Sequence, residues 1–116
     1  MTADPRAVPR VVALVPDLMD RSRLGGLGGP GEVDLVHVRA ASELGDAVTA
    51  APTALVVVDL ARPGVLDALR AGLGVRVVGF ASHVDTDLIA AAEAAGCTEV
   101  LPRSRFFARL PDLLGR

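Results

Sequence analysis

The run Leu55-Val56-Val57-Val58, closed by the acid Asp59, limits what this chain can become more than any other feature of its sequence. A β-strand sends alternate side chains to opposite faces, so a strand with one wet face alternates apolar and polar residues. Only a strand covered on both faces is apolar throughout, and that is the environment of a parallel sheet between two helix layers. Comparable Val-rich runs recur at Val11 to Val15, Val33 to Val38, Ala54 to Val58, Val75 to Phe80 and Glu99 to Leu101, with segments of helical period between them. Alternating strands and helices joined by short connections predict an α/β fold: a doubly wound five-stranded parallel sheet with right-handed crossovers, three layers deep. The flavodoxin-like strand order 2-1-3-4-5 suits five such strands.

The helix signals are uneven. Pro63 suits a first helical position ahead of Leu66, Leu69 and Leu73, and Gly72 or Gly74 can end that helix. Ser42 is placed to cap the helix holding Leu44 and Val48. Asp85 is placed to cap the fourth helix, with Val84 and Ile89 spaced for a hydrophobic staple and Gly96 at its end. The last helix is expected after Ser104, presenting Phe106, Leu110 and Leu113 to the sheet and disturbed by Pro111. A first helix near Asp20 to Leu24 runs into a glycine-rich stretch and should be short.

A length of 116 residues suits one core and not two, so residues 10–116 are read as a single domain after a loose tail, Met1 to Pro9. No apolar stretch is long enough to span a bilayer, and the single cysteine, Cys97, excludes an internal disulfide. A cytoplasmic location, away from membranes, is the expectation. All 12 basic residues are arginine, scattered among 14 acids with only 3 aromatics, so no basic stripe or stacking platform points to nucleic acid. Gly26-Leu27-Gly28-Gly29-Pro30-Gly31 satisfies the G-x-G-x-x-G spacing. It follows a helix and opens a strand, the reverse of a dinucleotide loop, and reads as a connection. His37 and His83 lack the spacing of a metal site, His83 lying close enough to the strand ends for a polar role. No G-x-S-x-G supports a hydrolase.

In open parallel sheets, function collects beyond the carboxyl ends of the strands. The residues placed there are Asp17 after strand 1, Asp59 after strand 3, Ala81 and Ser82 after strand 4, and Arg103 after strand 5. Two carboxylates and a cation at one rim could hold Mg²⁺ through hard oxygen ligands and bring a phosphate beside Asp59. Two segments give this rim a family likeness: Val56-Val57-Val58-Asp59-Leu60-Ala61-Arg62-Pro63-Gly64 and Ala94-Ala95-Gly96-Cys97-Thr98-Glu99-Val100-Leu101-Pro102-Arg103. Over roughly Val11 to Leu114 the chain resembles the receiver domain of bacterial response regulators, the CheY-like family. The resemblance implies that Asp59 is the phosphoacceptor, serving a histidine kinase in a two-component phosphorelay. It further implies that Asp17, Asp59 and the backbone carbonyl of Ala61 are ligands of Mg²⁺.

The departures from that pattern are as informative. Pro16 stands where the family carries a second acid, which lowers the expected metal affinity. Ala81 aligns with the Thr or Ser that contacts the phosphoryl group, and Ser82 is its hydroxyl-bearing neighbour. Arg103 stands for the family's lysine, a planar fork in place of a compact ammonium, and no lysine exists elsewhere to substitute. Val100 replaces the aromatic switch residue, and the helix after Asp59 is about two turns shorter than the family's. Catalytic groups that act as a unit fail non-additively. The expectation is therefore a non-enzymatic, stand-alone pseudo-receiver that signals through protein contact, with weak or degenerate phosphorylation. A homodimer through helix 4, strand 5 and helix 5 is one form of that contact. The alternatives are a functional Mg²⁺-dependent phosphoacceptor and, third, a flavodoxin-like ligand-binding or enzymatic domain.

Overall fold

The computed structural model describes residues 8–27, 29 and 31–114. The expected tail therefore lies mostly outside the described residues, as do Gly28 and Pro30 of the glycine-rich stretch. The strands are β1 (Arg10–Leu14), β2 (Asp34–His37), β3 (Leu55–Asp59), β4 (Val77–Ala81) and β5 (Glu99–Pro102). The helices are α1 (Leu18–Arg23), α2 (Leu44–Ala50), α3 (Val65–Ala71), α4 (Thr86–Ala94) and α5 (Arg103–Ala108). All strand pairs are parallel, in the order β2-β1-β3-β4-β5 that the sequence predicts. No described helix is long and apolar enough to cross a membrane.

Strand alternation divides the apolar runs between two cores. Val12, Leu14, Val56, Val58 and Val77 face Leu44 and Val48 of α2, Val65 and Leu69 of α3, and Ala92 of α4. Val11, Ala13, Val57, Val78 and Phe80 face Leu24, Phe106, Phe107 and Leu110 on the opposite side. Each central strand buries both faces, which is why β3 can be apolar from Leu55 to Val58. The second core is the aromatic one. The Phe80 ring centroid lies 4.6 Å from Phe106 and 5.5 Å from Phe107, and the latter two meet edge to face at 5.0 Å.

Several helix starts differ from their sequence signals. Ser42 does not cap α2. It lies within a 3-10 turn, Ala41–Glu43, where the Glu43 carboxylate reaches back to accept the N–H groups of Arg39 and Ala40 at 2.8 and 2.9 Å. The longer Glu43 side chain brings one oxygen, Oε1, within reach of both backbone donors. Pro63 lies in the turn before α3, not at its first position, because Gly64 at φ 81° turns the chain into the helix. A left-handed φ comes without steric cost only for glycine. α3 then stops at Gly72. Asp85 stands at the start of α4 without bonding it through its side chain, and the staple is absent because Val84 is 72% exposed. α5 begins at Arg103, ahead of Ser104. Pro111 does not kink it. The helix ends at Ala108 and a separate 3-10 turn, Leu110–Asp112, carries Leu110 into the core. α1 likewise starts earlier than expected, at Leu18, and tightens into a 3-10 turn over Leu24–Gly26.

Candidate functional site

The register sets which residues share the carboxyl rim of the sheet. Leu14 pairs with Val58 and Asp59 with Phe80, so Asp59 ends the central strand between the chain leaving β1 and the end of β4. Its parity follows Leu55 and Val57, toward the side that holds Phe80, Phe106 and Phe107. Asp59 is half-buried, and its Oδ1 accepts the Ala61 N–H at 3.0 Å. This Asx-type bond, with the Arg62 N–H on the Asp59 carbonyl at 3.2 Å, fixes the turn that Gly64 completes.

Asp17 is exposed and stands at the N-cap of α1, where its Oδ1 accepts the Asp20 N–H at 3.0 Å. One carboxylate thus serves both the helix start and the rim. Ala81 is buried, packing with Val77 and Ala92 in the core opposite the parity of Asp59. Ser82 follows the end of β4 and is exposed. His83 is also exposed. His37 ends β2 beside Ala13 of β1, and its pKa is lowered from the ordinary histidine value by partial burial and by the Arg21 charge. Cys97 is buried and packs between α4 and β5, with its thiol pushed up by burial, as suits a structural residue.

One residue at this rim went without a role in the sequence. Asp20 is 2% exposed, and its carboxylate is bound two-pronged by Arg103, Nη1 to Oδ2 at 2.6 Å and Nη2 to Oδ1. The guanidinium carbon lies 5.7 Å from the Phe80 ring centroid and 5.2 Å from that of Phe107, over an apolar floor. The Arg103 pKa is raised, first by the hydrogen bond to Asp20, against burial, and then by the charges of Asp20, Asp17 and Asp59. One cation therefore feels all of these carboxylates. A further acid thus stands near the rim, on α1. The only sequence sign of it is the spacing of three residues from Asp17, which puts both on adjacent turns of one short helix.

The chemistry of the donors bears on Mg²⁺. Asp17 and Asp59 each engage one carboxylate oxygen with a backbone N–H, and a second oxygen on each remains for a hard cation. Among the described residues no three His, Cys, Asp or Glu side chains form a metal-holding group. Carboxylate, carbonyl and water oxygens are the donor type that Mg²⁺ takes, and it retains much of its hydration shell. Beside the rim, an open cleft of about 500 Å³ runs between the β3–α3 turn and α4, lined by Leu60, Ala61, Arg62, Val65, Asp85 and Leu88.

No protein-family model and no curated protein matches the chain by sequence. Solved structures do match it. A response regulator from Hahella chejuensis superposes with a TM-score of 0.72 at 19% identity, over 91% of this chain and 92% of its own. The phosphorylated cyanobacterial phytochrome response regulator RcpA gives 0.72 at 15% identity, over 93% and 89%. The receiver domain of the sensor histidine kinase PA1611 from Pseudomonas aeruginosa PAO1, described with a magnesium ion coordinated in its active-site cleft, gives 0.70 at 14% identity, over 93% and 95%. With its five parallel strands in this order, the chain has the CheY-like fold of response regulator receiver domains.

Proposed function

We propose that this chain is a divergent receiver that signals through protein contact, with phosphorylation of Asp59 weak or absent. The observation that carries this reading is the two-pronged engagement of Arg103 by buried Asp20. The one cation at the position of the family's lysine is already neutralised, and Ala81 offers no hydroxyl. Contact with a protein partner is supported by large apolar side chains in water at the same end of the sheet. Leu18 and Met19, on the first turn of α1, are 77% and 78% exposed, and Val84 lies just beyond β4. The small-residue helix α4, with β5 and α5, is a second surface on which a like copy could pack.

A working phosphoacceptor is the second reading, favoured by Asp59 and Asp17 sharing the rim with a cation. In that reading a histidine kinase is the phosphoryl donor. Asp17, Asp59 and the Ala61 carbonyl would hold Mg²⁺, which would supply positive charge beside the phosphoryl oxygens. Asp59 would attack, and Arg103 would have to leave Asp20 to reach the product. A flavodoxin-like ligand-binding or enzymatic role has no observation at the rim in its favour. Incubation with Mg²⁺ and acetyl phosphate followed by intact-mass measurement separates the first two. The unmodified mass is expected; a gain of one phosphoryl group that Asp59→Asn abolishes would overturn the proposal.

A further inference from the structure

Arg103 and Asp20 are separated by 83 positions in the sequence, yet their pairing is the most specific polar contact at the rim. The carboxylate is buried and the guanidinium side chain is 45% exposed, so the acid is the fixed member and the arginine the movable one. A bidentate guanidinium–carboxylate pair is directional, and breaking it leaves a buried charge without a partner. No side-chain nitrogen or oxygen buried among the described residues lacks a partner, so Asp20 has its need met by Arg103. Arg103 also feels the charges of Asp17 and Asp59, which places it within electrostatic reach of the rim that it does not bind.

We infer that Asp20 is a positioning residue that holds Arg103 in a clasp away from Asp59, and that this clasp suppresses oxyanion binding at the rim. The inference rests on reading the Asp59 rim as the functional site. It differs from a simple shortage of positive charge: the cation is present, but its two facing N–H donors are committed. A phosphate that takes the same two-pronged edge of the guanidinium must replace both bonds and leave Asp20 buried and unpaired. Charge removal alone does not reproduce that effect. Asp17→Asn deletes the same unit of charge from the rim and retains a side chain able to cap α1, while leaving the clasp shut.

The test is titration of the whole chain with inorganic phosphate in metal-free buffer, followed by NMR of the Ala61 amide and the Arg103 guanidinium. In the unsubstituted protein the Arg103 signals should stay unmoved by phosphate. Asp20→Asn should bind phosphate about tenfold more tightly, the effect of about 1.4 kcal/mol. Asp17→Asn should stay within about threefold of the parent, and Arg103→Met on the Asp20→Asn background should erase the gain. Arg103→Lys guards against a misfolded Asp20→Asn: an ammonium cannot make the two-pronged contact, and it too should gain phosphate binding. Equal gains from Asp17→Asn and Asp20→Asn, a gain that survives Arg103→Met, or Arg103 signals that move in the parent protein would each overturn the clasp. None of these outcomes depends on whether acetyl phosphate modifies Asp59, so the two proposals fail separately.

Discussion

Asp17 and Asp20 lie three residues apart on α1, yet one is exposed and the other sealed from water. The difference lies in what each meets. Asp17 turns to the helix end and the solvent, while Asp20 meets a guanidinium delivered by α5 over the rings of Phe80 and Phe107. Gly79 is a second residue whose identity is set by a neighbour. A Cβ built there would lie 2.6 Å from Leu60 Cδ2 and 2.8 Å from its Cγ, and Leu60 is itself buried. Gly79→Ala should force Leu60 off its rotamer and lower stability by about 1–3 kcal/mol in urea unfolding. At this scale the sequence displayed Asp17, Asp59 and Arg103 but not the pair that Arg103 makes. A bond between residues so far apart leaves no periodic trace.

Among the elements, α1 depends most on its cap. It has six residues, too few to hold together on propensity alone, and the Asp17 carboxylate satisfies one of its free N–H groups. Asp17→Ala should cost about 1 kcal/mol of stability by urea unfolding, whereas Asp17→Asn should cost only a few tenths, since both Asp and Asn cap well. An Asn loss as large as the Ala loss would show that the charge, and not the cap, matters there. α2 illustrates how a local signal is overridden. Ser42 has the right chemistry for a cap, but it lies inside the 3-10 turn Ala41–Glu43 that leads into α2, a turn whose start is held by Glu43 accepting the N–H groups of Arg39 and Ala40. The α4 staple fails for a comparable reason: Val84 sits in the loop at the rim and faces water. Strands were easier to read than helix ends because burial on both faces constrains every residue of a strand, while a helix end turns on one or two bonds.

The whole molecule is two cores on one sheet, and the two differ in kind. One is aliphatic, under α2, α3 and α4; the other is closed by three phenylalanines, two of which, Phe80 and Phe107, also floor the Arg103–Asp20 pair. Phe106 is wholly buried and touches both other rings. Phe106→Ala should cost about 3–5 kcal/mol by chemical denaturation, a large part of the stability of a domain of this size. Phe106→Leu should cost distinctly less. By itself, the sequence determined the five strands and their two-sided burial, because those follow from apolar periodicity and strand parity, and it suggested the strand order that the sheet has. Only the tertiary structure decided which partner Arg103 takes and which acid is buried. Those outcomes depend on side chains of α1 and α5 meeting over the same aromatic floor, an arrangement that no local stretch of chain encodes.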